Sequence, residues 1–412
     1  MRYSLVSLGG VCAILLAASA WPRVASPVAN LRVLHHFGED DGEYPDTDLV
    51  MDGDGNLYGM TVQGGDFNSG TVFRLSPTPT GWEEAILYSF TSGADGGQSY
   101  GGVTLDAQGN LYGTTVVGGS WAGCPEDGCG VVWKLTKNGD DYTHSVLHAF
   151  QAGENDGQGP GGPVSFDAQG NLYGMTPLGG DFNAGTIFRL TPTPAGPWNA
   201  TLIHEFTGGL DGGSASKARL IFDSAGNMYG VATTGGAFGV GTVFRLSPDG
   251  VGGWSFETLY SFKGLPDGVF PYGGLLRDNS GALFGTTYYG GNADRGVVYK
   301  LEQIAGVWTE MVLHHFQGGQ DGSYPISALV RGNDGSLYGT TSTGGGAGSH
   351  GTIFRLTQGP TGAWRTRVVH AFSGPDGELP YAGLLKGPQG ELFGTAVNGG
   401  EDGDGTVFRF MP

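Results

Sequence analysis

One phrase is written seven times along this chain. "GNLYGMT" begins at Gly55, "GNLYGTT" at Gly109, "GNLYGMT" at Gly170 and "GNMYGVA" at Gly226. "GALFGTT" at Gly281, "GSLYGTT" at Gly335 and "GELFGTA" at Gly390 complete the series. Its aromatic residues are Tyr58, Tyr112, Tyr173, Tyr229, Phe284, Tyr338 and Phe393, spaced 54 to 61 residues apart. A period of this size marks a solenoid, propeller or array, whose units bury their faces against one another. The longest interval holds Cys124 and Cys129, so its extra length is a local insertion.

Each unit carries four short runs rich in β-branched and aromatic residues, separated by Gly, Asn, Asp or Pro. In the sixth unit they are "SALVR" (327–331), "SLYGTT" (336–341), "TIFRL" (352–356) and "WRTRVVHAF" (364–372). The first turn reads "GDGN", "AQGN", "SAGN" or "GNDG", which suits tight hairpins. No stretch past the leader has a helical period. Four antiparallel strands in each of seven units predict an all-β chain, a seven-bladed β-propeller. A β-helix needs shorter rungs, and separate sandwiches need longer units.

The two ends complete one another. The fourth run begins at Trp82, Tyr142, Trp198, Trp254, Trp308 and Trp364, but the seventh unit ends at "GTVFRFMP" without one. The missing run is "LRVLHHF" (31–37), near the other end. This N-terminal strand is predicted to close the last blade, which removes a sheet edge open to aggregation. Before it, "MRYSLVSLGGVCAILLAASA" has Arg2, an apolar run and small residues at Ala18 and Ala20. That is the layout of a secretory signal peptide cut near Ala20. The expected division is a leader at 1–30 and a propeller at 31–412. No later segment is apolar enough over a long enough span to cross a membrane.

Asp and Glu outnumber Lys and Arg by 39 to 20, a net charge of -19. Such a surface repels phosphate backbones and anionic lipid, which argues against nucleic-acid partners. In an exported chain, Cys124 and Cys129 within "CPEDGC" are expected to form a disulfide.

"GNLYGTT…GG…GTVFRL", with "DG..P" between units, resembles the GloVer tandem repeat of the choice-of-anchor proteins, over essentially the whole mature chain. The resemblance implies an exported, surface-associated bacterial protein of unknown biochemical role and brings no catalytic residues. Because the sequence stops after "TVFRFMP", with no sorting helix or basic tail, a free secreted or periplasmic form is expected beside a cell-surface one.

An Asp-Gly pair precedes every first strand: Asp41, Asp95, Asp156, Asp211, Asp267, Asp321 and Asp376. Seven carboxylates ringing one face near the channel suit a hard cation such as Ca²⁺. Alternatively, each Asp caps its own turn. The glycine loops after the second strand belong on that same face and differ between blades. They place Phe67, Trp121, Phe182, Phe238 and Tyr289 where an aromatic beside Asp and Asn can stack on a sugar ring. These rings can equally fold back over the blade.

A basic residue recurs in the third strand, from Arg74 to Arg409, and its stem is expected to pack between blades with its head on a carboxylate. His35, Tyr88, His148, His204, Tyr260, His314 and His370 share a slot two residues before the outer strand's final Phe. One per blade, they stand too far apart to share a metal. Arg219, Lys263 and Arg295 break the repeat. No HExxH or Walker loop occurs. Gly346, Gly348 and Gly351 match GxGxxG, but a strand follows instead of a helix. Asp52, Asp54 and Asn56 imitate a calcium loop without its Gly and Glu, as a hairpin turn would.

The expected function is non-catalytic: an exported, monomeric scaffold that binds a glycan or an extracellular protein through its loop-rich face. A propeller lyase or hydrolase acting on polysaccharide or a small substrate is the alternative. A purely structural surface spacer is the second alternative.

Overall fold

The computed structural model describes residues 30–119, 123–151, 156–193, 196–214 and 218–412. The signal region and Trp121 lie outside the described residues. Seven antiparallel four-stranded sheets form a seven-bladed propeller. The first blade runs, from axis to rim, through Val50–Met51, Leu57–Met60, Thr71–Thr78 and Gly81–Ser89. The last runs through Leu385–Lys386, Leu392–Ala396 and Thr406–Phe410, and its outer strand is Leu31–His36. Leu31 pairs with Phe410 and His36 with Thr406, so the N-terminal strand closes the ring as predicted.

The repeated phrase has a packing cause. Its second glycine pairs directly with the aromatic of the third strand, as Gly59 does with Phe73. A Cβ on Gly59 would stand 2.5 Å from Phe73 Cζ and 2.9 Å from Leu49 Cδ2. Gly113 under Trp133 and Gly394 under Phe408 repeat this. Glycine costs a strand about 1 kcal/mol. Burying a ring of roughly 200 Å² at about 25 cal/mol per Å² returns about 5 kcal/mol, so the ring wins. The phrase's aromatic instead meets the Trp that opens the next blade's outer strand: Trp198 on Tyr112, Trp254 on Tyr173 and Trp364 on Phe284, with ring centroids 5.9–6.2 Å apart. These three phrases thus bind a blade both to itself and to its neighbour.

The inner strands are shorter than the sequence runs imply. "SALVR" contributes only Val330–Arg331. The residues ahead of the inner strands bond sideways instead. Thr104 Oγ1 donates to Val164 O at 2.5 Å and Thr286 Oγ1 to Ser327 O at 2.9 Å. Across the closure, Thr395 Oγ1 donates to Thr47 O at 3.2 Å. Backbone oxygens crowded at the axis are satisfied by the adjacent blade rather than by a longer ladder.

The turn after the inner strand is stapled by its own aspartate. Asp52 accepts N–H groups from Asp54 and Asn56, the Asn56 amide and the Tyr58 hydroxyl, all within 3.0 Å. Asp106, Asp167 and Asp223 do the same in the next three blades. The apparent start of a calcium loop is therefore a donor-saturated hairpin turn. Third-strand cations meet carboxylates at Arg245–Glu257, Lys300–Glu302 and Arg355–Asp334. Cys124 and Cys129 form a disulfide. Among the described residues no helix is long and apolar enough to cross a membrane.

Candidate functional site

The crossings between blades and the loops after the second strand share one face, and short bridges knit them together. Glu43 pairs with Gln63, Gly97 with Val117 and Gly157 with Gly179. Gly213 with Thr234, Gly268 with Gly290, Ser323 with Thr343 and Glu378 with Asn398 continue the ring. Loops braced in this way present fixed side chains.

The seven Asp-Gly carboxylates are not at the channel. Each lies at the end of an outer strand and accepts the backbone N–H of a residue just past that strand's final Phe: Gly38, Thr91, Gln151, Thr207, Lys263, Gln317 or Ser373. Each also faces the His or Tyr of its own outer strand. His35 stands 2.8 Å from Asp41, Tyr88 3.0 Å from Asp95, and His148 3.2 Å from Asp156. His204–Asp211 at 3.3 Å, Tyr260–Asp267 at 2.8 Å, His314–Asp321 at 3.0 Å and His370–Asp376 at 2.8 Å complete the set. Two features that look independent in the sequence are one device. Among the described residues no three His, Cys, Asp or Glu side chains are placed to hold one metal ion.

The channel mouth is built from residues just ahead of the inner strands. Asp46, Asp48, Tyr100, Arg219, Tyr272 and Tyr381 line a cavity of about 40 Å³, space for a few waters and too little for a sugar ring. Arg219 bolts it across. Its guanidinium donates to Thr104 Oγ1 and Val164 O, both at 2.9 Å, and to Val103 O at 3.2 Å. Burial depresses its pKa, and the Asp48 charge partly restores it. Asp48 Oδ1 in turn accepts the Gly383 N–H at 2.7 Å. Burial raises the Tyr100 and Tyr381 hydroxyls, and the nearby Asp46 charge adds to it.

Beside this mouth the fifth and sixth blades assemble a cluster of rings. Tyr288 stacks on Tyr324 at 5.1 Å and meets Tyr272 edge-on at 5.7 Å and Tyr289 at 4.6 Å. Phe270 lies 6.1 Å from Tyr289, and the Arg295 guanidinium sits 5.1 Å from the Tyr324 ring. All these rings are half-buried. Tyr289 thus belongs to a platform. Phe67, Phe182 and Phe238 stand apart on their loops, 58%, 62% and 57% exposed.

Sequence reasoning named Tyr289 and flagged Arg219 and Arg295 as breaks in the repeat. It missed Tyr272, Tyr288, Tyr324 and the Tyr100–Tyr381 pair. The signal was present: the places of Tyr288 are held by Val62, Val116, Pro177, Thr233, Ser342 and Val397 in other blades. Glu84 and Glu310 are pushed up to about 7, chiefly by burial. Both lie on outer strands, beside Asp41 and Asp267, and not at the channel.

The family model of the Gloeobacter/Verrucomicrobia repeat matches residues 23–124, 120–345 and 218–412. The chain belongs to that repeat family. No curated protein sequence matches it. Among solved structures it is similar to the surface component PorZ of the type-IX secretion system of Porphyromonas gingivalis. Identity is 13% and the TM-score 0.51, over 92% of this chain and 48% of that one. It is also similar to the extracellular domain of a candidate one-component system of B. thetaiotaomicron, at 13% and 0.52, over 90% and 40%. A candidate 6-phosphogluconolactonase of Bacteroides uniformis aligns at 14% and 0.50, over 79% and 84%. At these identities the likeness is one of fold.

Proposed function

We propose that this repeat protein is an exported, non-catalytic binding scaffold that recognises an extracellular glycan on its loop-rich face. The observation that carries this reading is the half-buried ring platform of Tyr272, Tyr288, Tyr289 and Tyr324 beside the channel mouth. Half-buried tyrosines present an apolar ring face and a hydroxyl together, which suits the C–H face and hydroxyls of a sugar. The surface and extracellular settings of PorZ and the one-component-system domain, with the disulfide, support export.

Catalysis in the channel is the weaker reading. Tyrosine hydroxyls raised by burial stay protonated at neutral pH, so they donate hydrogen bonds and do not act as bases. The cavity between them, about 40 Å³ and lined in part by Arg219, is too small for a sugar ring. A protein partner is the second reading, favoured by the exposed Phe67, Phe182 and Phe238. The test is a thermal melt of residues 31–412 against an oligosaccharide panel, with and without Ca²⁺. A ligand that binds only the folded chain raises the midpoint. The reading expects a glycan-dependent rise that Tyr288→Ala abolishes. No rise with any glycan would remove it and leave a protein partner or a spacer.

A further inference from the structure

The opposite face, made of the turns after the inner strands and the hairpins between third and outer strands, carries grooves at the third–fourth, fourth–fifth and sixth–seventh blade seams. At the fourth–fifth seam Arg277 lines a groove of about 460 Å³, its guanidinium 5.6 Å from the Tyr229 ring. At the fifth–sixth seam Arg331 sits 5.5 Å from the Phe284 ring. The equivalent residues of the third and fourth blades are Phe166 and Phe222. The third–fourth seam therefore has an aromatic wall where the next two seams have a guanidinium.

That groove encloses about 530 Å³, within the range of small-molecule sites. Phe222 and Trp254 both meet Tyr173 edge-on, with centroids 5.3 and 5.9 Å away. Polar groups surround the rings. Arg189 lines the groove, makes no ion pair among the described residues, and has a buried Nε without a partner. Gln169 and Ser224 sit exposed on the rim. The Asp167 and Asp223 carboxylates, held by their own turns, add fixed acceptors.

We infer that the third–fourth seam is a second binding site, for a neutral pyranose ring, on the face opposite the tyrosine platform. The chemistry selects that class. Aromatic walls take the apolar face of the ring. The guanidinium, amide and hydroxyl address its hydroxyl groups. Two fixed carboxylates and a net charge of -19 disfavour a polyanion.

The experiment is saturation-transfer NMR on residues 31–412 with the methyl glycosides of glucose, galactose, mannose and N-acetylglucosamine. Ser224→Trp places a bulky ring across the mouth at an exposed site, and Gln169→Trp is the second blocking variant if the first lowers the melting midpoint. The inference expects transfer to at least one glycoside. In the Tyr288→Ala background, which removes any share of the tyrosine platform, that transfer persists, and it falls about tenfold or more when the folded blocking variant is added. No transfer to any glycoside overturns it. Transfer that survives blocking and disappears with Tyr288→Ala also overturns it, and leaves the loop-face reading standing.

Discussion

His370 Nε2 stands 2.8 Å from Asp376 Oδ2, where the outer strand of the sixth blade gives way to the crossing into the seventh. The same carboxylate takes the backbone N–H of Ser373 at 2.8 Å and its hydroxyl at 3.0 Å. Burial alone would raise the Asp376 carboxyl, but these three donors outweigh it and hold it below its ordinary range. A depressed carboxylate stabilises the fold above its unfolded value, near pH 4, and loses that contribution as pH falls through the folded value. Asp376→Asn is therefore expected to cost about 1 kcal/mol at neutral pH and far less near pH 3, read by urea unfolding at both.

The same geometry speaks to calcium. Each Asp-Gly carboxylate is already engaged by a backbone N–H and a His or Tyr, so a cation would have to displace those partners. The melting midpoint is expected to be equal in Ca²⁺ and in EDTA. A midpoint several degrees higher in Ca²⁺ would reassign the ring to metal binding.

Glu84 and Glu310 give the opposite pH sign. Burial is the main cause of their rise from 4.5 to about 7; Asp41 and Asp267 add to it, while His35 and Lys263 oppose it. A raised carboxyl penalises the fold where the unfolded chain is ionised and the folded one is not. That penalty grows as pH climbs from about 4.5 to about 7 and is constant above. His144, His204 and His315, lowered chiefly by burial, slope the other way below about pH 6.5. The wild-type curve therefore mixes both signs, and only a difference isolates the glutamates. Glu84→Gln with Glu310→Gln is expected to gain stability on wild type across that window, measured by urea titration. A difference independent of pH would refute the assignment.

The fold was legible because its cause is local and repeated. Gly59 must be glycine to admit Phe73, a demand repeated seven times over, and aromatics such as Tyr112 and Tyr173 meet a ring of the neighbouring blade. Asp41 and His35 were each visible, but their pairing was not, since six residues separate them and a turn brings them together. The channel was illegible for a different reason. Arg219 bonds to carbonyls more than fifty residues away, and no pattern in the sequence points to a backbone oxygen. Aromatic rings such as Tyr288 and Tyr324 come from consecutive blades, and only the packing of one blade on the next makes them neighbours.

Arg219 yields the last prediction. Its guanidinium comes from the crossing into the fourth blade and bonds to the second and third blades at Thr104, Val103 and Val164. An arginine so buried is tolerated because those acceptors and the Asp48 charge compensate its desolvation. Arg219→Met keeps the stem's apolar bulk but leaves the carbonyls of Val103 and Val164 without this donor. Val164 O keeps the Thr104 hydroxyl, so Val103 O is the acceptor left short, and at roughly 1–3 kcal/mol per buried acceptor the expected loss is about 2 kcal/mol. Urea unfolding measures it. If the bolt rather than bulk matters, Arg219→Lys recovers only part of the loss, because one ammonium cannot reproduce the planar fork. Full recovery by lysine, or no loss with methionine, would show that charge or volume alone closes the channel.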